Sequence, residues 1–303
     1  MIEQLITSQL ARWEVARNNY AALSRVEVKE IFVKGMLYKA QFNPARIVSS
    51  GAKVDAKTIR ERRCFLCASN RPEVQEGIAW GGHYDLLVNP FPIFPRHLTI
   101  PDTAHQPQCI QGRIGEMMEL ARYLKEYTIF YNGPKCGASA PDHAHFQAGN
   151  RGFMPIESQW KERKILPLDR SGEATLSLLD EEPRTTLLLR TPLLADGVQL
   201  FDRLYSRLPV PEGEKEPMMN ILAMYDEGEG WTLLIFPRAK HRPDCYFAEG
   251  AERLLSSPAS VDMGGVFIFP VEEDFRRINA ELLEGILKEV CLPRDTLLEL
   301  YSD

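Results

Sequence analysis

Residues 130–149 read FYNGPKCGASAPDHAHFQAG. An apolar run ends at Asn132, a turn rich in glycine and small residues follows, and then His143, His145 and Gln147 alternate with Ala144, Phe146 and Ala148. Alternation at period two predicts a strand, on which positions i, i+2 and i+4 share a face. Both imidazoles and the amide then line one wall of a cleft, while Ala144, Phe146 and Ala148 pack the other way. Two histidines side by side divide the work: one acts as nucleophile or base near neutral pH, and the other fixes geometry or binds a metal. Gly133, Gly137, Ala138 and Ser139 let backbone N–H groups approach an anion. The plainer reading is a surface strand with two solvated histidines and a flexible loop. Against it, the motif takes two of only six histidines in the chain and sets them beside a small-residue loop.

A second pair carries metal chemistry. In residues 62–75, RRCFLCASNRPEVQ, Cys64-x-x-Cys67 has the spacing at which a tight turn aims two thiolates at one ion. Alone it is half a site. It also reads as a redox pair, although no thioredoxin-type helix pattern follows, or as two unrelated buried cysteines.

Composition bounds the rest. The chain has 303 residues, 44% of them hydrophobic, enough to bury a full core as one large domain or two fused halves. Neither the net charge of −6 nor any lysine/arginine run supplies a basic stripe, which argues against a generic nucleic-acid or membrane surface. No apolar stretch approaches the roughly 20 residues that span a bilayer. Residues 1–22 read as an amphipathic helix without a signal-peptide core, so the expected location is cytoplasmic. Six cysteines are too few for a disulfide scaffold.

Taken in order, the helix at 1–22 places Leu5, Ile6, Leu10, Trp13 and Ala16 on one face, and strands follow at 30–33 and 37–42. Residues 84–89 predict a buried strand, with Asn89-Pro90-Phe91-Pro92 as the turn after it. A strand at 97–100, a helix at 111–127 and a strand at 128–131 lead to the motif. Residues 155–172 loosen into a linker or covering loop. Beyond it the pattern gives a strand at 185–190, a helix at 198–208, a hairpin of 220–225 and 231–236, a strand at 264–269 and a closing helix at 272–290. Pro237 to His241 echoes Pro101 to His105, each a strand ending in Pro-x-x-x-His, which suggests a repeat. Arg238, Lys240, His241 and Arg242 form the densest basic cluster; it contacts a phosphate or sugar, or it merely solvates a strand end.

Asn132, Gly137, Ser139, His143, His145 and Gln147 together resemble the active-site segment of the histidine-triad (HIT-like) superfamily. The closer likeness is to its transferase branch, which has His-x-His-x-Gln: galactose-1-phosphate uridylyltransferase, diadenosine tetraphosphate phosphorylase and GDP-hexose phosphorylase. Ser139-Ala140-Pro141-Asp142-His143 has one residue more between serine and histidine than the uridylyltransferase motif. The resemblance implies an α+β fold of two fused HIT-like halves, each a mainly antiparallel sheet with flanking helices. Residues 1–160 would be the catalytic half, with the Cys-x-x-Cys knuckle and the His-x-His-x-Gln strand, and 161–303 a degenerate half.

It further implies a nucleotidyltransferase or phosphorylase. Such an enzyme moves a nucleoside monophosphate from a nucleotide sugar or dinucleoside polyphosphate to phosphate or a sugar phosphate, through a nucleotidyl-histidine. His145 would be the nucleophile, with Gln147 and Ser139 assisting; Asn89, Phe91, Asn132, Lys135, Gly137 and His143 would bind substrate. Structural zinc is implied at Cys64, Cys67, His105 and His143, with His97 and His83 as substitutes. The partners expected are a small nucleotide or nucleotide sugar and a phosphate or sugar-phosphate acceptor, with no nucleic acid and no membrane; a homodimer is left open. Two other classes stay open: a nucleotidyl hydrolase of the same superfamily, and a non-catalytic nucleotide-binding zinc protein. Base, sugar and acceptor are not readable from the sequence.

Overall fold

A short N-terminal hairpin, β1 (Glu27–Val33) and β2 (Met36–Phe42), precedes five strands, β3 (Gly77–Trp80), β4 (Tyr84–Val88), β5 (His97–Pro101), β6 (Tyr127–Asn132) and β7 (His145–Asn150). Five more follow, β8 (Ile165–Ser171), β9 (Ala174–Leu179), β10 (Leu187–Thr191), β11 (Met219–Asp226) and β12 (Gly230–Pro237), and β13 (Val266–Phe269) comes last. The computed structural model describes residues 1–47 and 56–302.

Strands β3 to β12 form one sheet in the order β3-β4-β5-β7-β6-β11-β12-β10-β9-β8. Each set of five thus has the same spatial order: first, second, third, fifth, fourth. A helix joins the third and fourth strands in both sets, Ile114–Tyr123 in one and Leu194–Arg207 in the other. The sets meet antiparallel through their fourth strands, where Asn132 of β6 stands opposite Asn220 of β11. The fold is therefore two like halves, each an antiparallel sheet with flanking helices, as the motif implied.

The sequence echo that suggested a repeat does not mark equivalent places. His105 follows β5, the third strand of its half, whereas His241 follows β12, the fifth of the other. By strand order, the counterpart of β12 is β7, the strand that begins at His145.

Each face of the sheet has its own core. On one face Phe146 and Ala148 of β7 pack with Ile114, Met117 and Leu120 of the first helix and with Leu200, Phe201 and Leu204 of the second. Fully burying side chains of this size stabilises the fold by about 1.5–3 kcal/mol each. The other face is covered by a small sheet, β1-β2-β13, and by helices near the C-terminus. There β13 runs parallel to β2, so that Phe267 pairs with Ala40. Residues from before and after position 160 therefore share one small sheet.

Three expectations change in detail. The N-terminal helix is two helices, Ile2–Arg12 and Glu14–Ala22, broken at Trp13 with φ −104° and ψ 101°. The closing helix is also two, Glu272–Arg277 and Ala280–Val290, because the Asn279 side chain accepts from Leu282 N at 3.0 Å and starts a new helix. The supposed linker at 155–172 contains β8, an edge strand whose Ile165 and Leu166 are exposed, so the apolar alternation that marks a half-buried strand is missing. No helix among the described residues is long and apolar enough to cross a membrane.

Candidate active site and metal cluster

The motif strand lies in the middle of the large sheet, hydrogen-bonded to β5 on one side and β6 on the other. Its alternation holds: Phe146 and Ala148 enter the core, while His145 and Gln147 face a cleft of about 630 Å³ on the other face. That volume suits a small-molecule ligand. Regular pairing starts at His145, and His143 sits in the bend before it.

His145 is held on every side but one. Its Nδ1 lies 2.8 Å from the carbonyl oxygen of His143. A carbonyl only accepts, so Nδ1 carries the proton and Nε2 keeps its lone pair. Burial lowers the pKa to about 4, opposed by that backbone hydrogen bond, so the ring is neutral at pH 7. The backbone is clamped by Gln108, whose Oε1 accepts from His145 N at 2.8 Å and whose Nε2 donates to His145 O at 3.0 Å. The same Nε2 donates to Asn132 O at 3.0 Å, so Gln108 bridges the ends of β6 and β7 where they splay apart.

The orientation of Gln147 follows from a chain of fixed donors. Ile93 N–H donates to His97 Nδ1 at 3.2 Å, which puts the imidazole proton on Nε2. His97 Nε2 then donates to Gln147 Oε1 at 3.1 Å, so the amide NH2 is left for the cleft. His97 stays neutral, its pKa lowered to about 3 by burial first and by Arg46 second.

Asn89, Phe91, Asn132, Gly137 and Ser139 also line the cleft. Asn89 donates to Thr99 Oγ1 at 2.9 Å and accepts from Phe91 N at 2.8 Å, a turn that turns the Phe91 ring outward, 38% exposed. Gly137 has φ +92°, and a Cβ there would stand 2.4 Å from Ala259 Cβ. That glycine is needed because the second half of the chain closes onto the loop. Two expected residues lie elsewhere. Lys135 is exposed, 3.8 Å from Glu214, and is not part of the cleft wall. His143 is buried beside it, in the metal cluster.

In that cluster the ligand atoms of Cys64, Cys67, His105 and His143 all lie within 4.8 Å of one another. His143 Nδ1 is 3.3 Å from Cys64 Sγ, 3.6 Å from Cys67 Sγ and 3.2 Å from His105 Nδ1. Four donors around one tetrahedral zinc, at ~2.0–2.1 Å for nitrogen and ~2.3 Å for sulfur, stand about 3.3–3.8 Å apart. His143 Nε2 donates to Asp102 O at 2.8 Å, which turns the Nδ1 lone pair inward, the tautomer a metal ligand needs. The cluster could hold a metal ion. His83 bonds Glu116 and His97 bonds Gln147, so neither substitute is near it.

Three arginines that the motif did not point to, Arg46, Arg62 and Arg242, complete the cleft together with His241, whose pKa is lowered to about 4 by burial first and by Arg242 second, so that its ring is neutral at pH 7. Arg46 donates to Phe91 O at 2.6 Å, and its Nε has no partner among the described residues. Arg62 is paired with Asp142 and lies over the Phe65 ring. His241 and Arg242 belong to the basic cluster after β12, but their neighbour Arg238 is buried and faces the protein interior. Arg62 stands in the arginine-rich run just before Cys64, a signal that was readable; Arg46 follows an ordinary Asn-Pro turn, which gave none. The break at Trp13 brings that residue to the cleft as well.

Residues 5–150 match a family model described as "Domain of unknown function (DUF4922)". No curated protein matches the chain significantly. Among solved structures, yeast Ap4A phosphorylase Apa2 in complex with Ap4A superposes with a TM-score of 0.63 at 16% identity, over 96% of this chain and 97% of that one. The same yeast enzyme in complex with AMP gives 0.59 at 17% identity, over 94% and 97%. A further crystal structure of it gives 0.62 at 16% identity, over 92% and 97%. The likeness is one of fold and runs nearly the length of both chains.

Proposed function

We propose that the chain is a nucleotidyltransferase or phosphorylase that carries a nucleoside monophosphate on His145. The observation that carries this reading is the 2.8 Å bond from His145 Nδ1 to the His143 carbonyl, which leaves a neutral Nε2 lone pair in a cleft walled by donors and cations. A neutral nucleophile avoids much of the repulsion that phosphate oxygens exert on an anion. Support from outside the chain is the shared fold with a phosphorylase whose structures hold Ap4A and AMP.

In the reaction, Nε2 attacks the α-phosphorus of a nucleotide sugar or dinucleoside polyphosphate. The N–P bond forms as the bond from phosphorus to the leaving phosphate oxygen breaks, and the leaving group departs with that electron pair. Nδ1–H stays on the ring and its bond to His143 O stabilises the positive charge that develops. Gln147 and Asn132 donate to non-bridging oxygens without adding charge, and Ser139 holds the leaving phosphate. Arg46, Arg62 and Arg242 supply the positive field that Lys135 does not. An oxygen of inorganic phosphate or a sugar phosphate then attacks the same phosphorus, the N–P bond breaks, and neutral His145 is restored.

Cys64, Cys67, His105 and His143 would hold a zinc ion whose part would be structural, tying the knuckle to the strand, since four protein ligands would leave no position for a catalytic water. In this reading the chemistry belongs to residues 1–160, and residues 161–303 complete the cleft.

The test is to incubate the protein with a panel of nucleotide sugars and dinucleoside polyphosphates, with and without phosphate, and to read products and protein by mass. Transfer to phosphate is expected when phosphate is present, and an adduct mapped to His145 when acceptor is withheld. An adduct on His143, or turnover with no adduct, overturns the double displacement. His145→Ala should abolish turnover, and His145→Gly should accept a nucleoside phosphorimidazolide in its place.

A further inference from the structure

The second half of the chain lacks a His-x-His-x-Gln strand of its own, yet it holds a buried arginine with no ion-pair partner among the described residues. Arg238 is 4% exposed and its guanidinium donates five times. Nε bonds Val290 O at 3.1 Å; Nη1 bonds Asn220 Oδ1 at 2.6 Å and Pro258 O at 3.0 Å; Nη2 bonds the carbonyls of Lys240 and His241, both at 3.1 Å. Burying a charge on carbonyls alone is expensive, and apolar replacements of buried ionic groups are often neutral or stabilising. A purely structural account of Arg238 is therefore weak.

Its position suggests what it does. Arg238 can only donate, so Asn220 must turn Oδ1 toward it and its NH2 away. Asn220 Nδ2 in turn donates to Asn132 Oδ1 at 3.0 Å across the β6–β11 junction, and to Cys136 O at 2.8 Å. Ser260 N–H, another obligatory donor, reaches the same Asn132 Oδ1 at 2.8 Å. With its oxygen held twice, Asn132 has one orientation, and its NH2 has no partner among the described residues and faces the cleft. The relay begins at a donor-only group, and each amide passes the polarity on. Its open end is a donor, the group a phosphate oxygen requires.

We infer that Arg238 and Asn220 are positioning residues that act through Asn132. They fix a neutral hydrogen-bond donor onto the phosphate of a nucleotide bound in the cleft, so that residues 161–303 set the polarity of a site whose nucleophile lies in 1–160. The inference rests on the proposed nucleotide site but not on the covalent step.

The experiment compares binding of nucleoside monophosphates with that of the matching nucleosides, by calorimetry, in wild type and in Asn220→Asp. The substitution keeps shape and gives Arg238 a carboxylate partner, but it removes the donor to Asn132 Oδ1 and opposes that oxygen with another. The expected result is cooperative thermal unfolding, unchanged nucleoside binding and monophosphate affinity about 10-fold weaker, the scale of one hydrogen bond to a charged group. A monophosphate-to-nucleoside ratio equal to wild type overturns the relay, as does a wild type that gains nothing from the phosphate. Should Asn220→Asp fail to fold, Asn220→Ala decides on the same ratio, with a smaller loss expected and an unchanged ratio overturning the inference. If the panel yields no transfer products while the ratio falls as stated, the relay stands and the reaction proposed above does not.

Discussion

His97 Nε2 lies 3.1 Å from Gln147 Oε1, and because Ile93 N–H already occupies His97 Nδ1, the imidazole can only donate to the amide. Gln147 therefore presents NH2 to the cleft for the same reason that Asn132 does: a fixed donor stands behind its oxygen. Replacing Gln147 by Ala removes one donor and should lower kcat roughly 10²–10³-fold, the usual scale for one transition-state hydrogen bond. Gln147→Glu should be worse than Gln147→Ala, because it turns a carboxylate oxygen toward the phosphate while keeping the bond to His97. Turnover of Gln147→Glu equal to or above that of Gln147→Ala would mean that the amide does not face substrate as described.

The same histidine makes a prediction about pH. Burial lowers the His97 pKa to about 3, against about 6.5 in the unfolded chain. Between these values the unfolded state binds a proton that the folded state refuses, so this group makes wild-type stability fall as pH drops from about 6.5 toward 3. A His97→Gln variant lacks that dependence. The stability difference between wild type and variant should then narrow by about 1.4 kcal/mol per pH unit below pH ~6, measured by urea unfolding at several pH values. A difference constant with pH would show that His97 titrates normally.

How far the sequence disclosed this site depends on sequence distance. His145, Gln147 and the alternation that packs Phe146 and Ala148 are local, and period two revealed them. Cys64 and Cys67 are local too, though the histidines completing the cluster came from the family resemblance. Arg46, Asp262 and Ile268 reach the cleft only because β13 pairs in parallel with β2, Val266 beside Lys39, and no local pattern encodes such a contact. Spacing predicts Trp13 on a helix face; the helix breaks at that residue and delivers it to the cleft instead. β8 is not legible because an edge strand with an exposed apolar end has no period to read. The Pro-x-x-x-His echo falls at non-equivalent places, since His105 follows the third strand of its half and His241 the fifth of the other, yet the halves do share one strand order.

The metal cluster should hold about one zinc per chain, measured by elemental analysis of purified protein. Cys64→Ser and Cys67→Ser should each lose it. Removal of the ion should lower Tm by at least ~5 °C, since a few kcal/mol shifts a domain of this size by that much. It should affect turnover less, because His145 Nδ1 donates to the backbone carbonyl of His143, not to its ring, and Asp102 N–H holds the neighbouring Ala144 O at 2.9 Å. Protein without zinc, or zinc retained in both variants, would remove the site.

Gln108 gives the last prediction. Its amide spans His145 N, His145 O and Asn132 O, replacing the backbone ladder where β6 and β7 diverge, and it is itself buried. Gln108→Leu keeps the volume and leaves those three backbone groups unpaired, at about 1–3 kcal/mol for each one that stays so. The strand ends should relax to recover bonds, and that relaxation moves the nucleophile. A misplacement of about 1 Å is enough to slow a reaction ~10²-fold while contacts to the rest of the substrate persist. The expected result is therefore a fall in kcat of that order with KM changed only a few-fold. At a pH where its carboxyl is protonated, Gln108→Glu retains the acceptor for His145 N and a single O–H donor in place of the amide NH2, and should fall between Gln108→Leu and wild type. A Gln108→Leu protein that is less stable yet keeps wild-type kcat would show that Gln108 braces the sheet without placing His145.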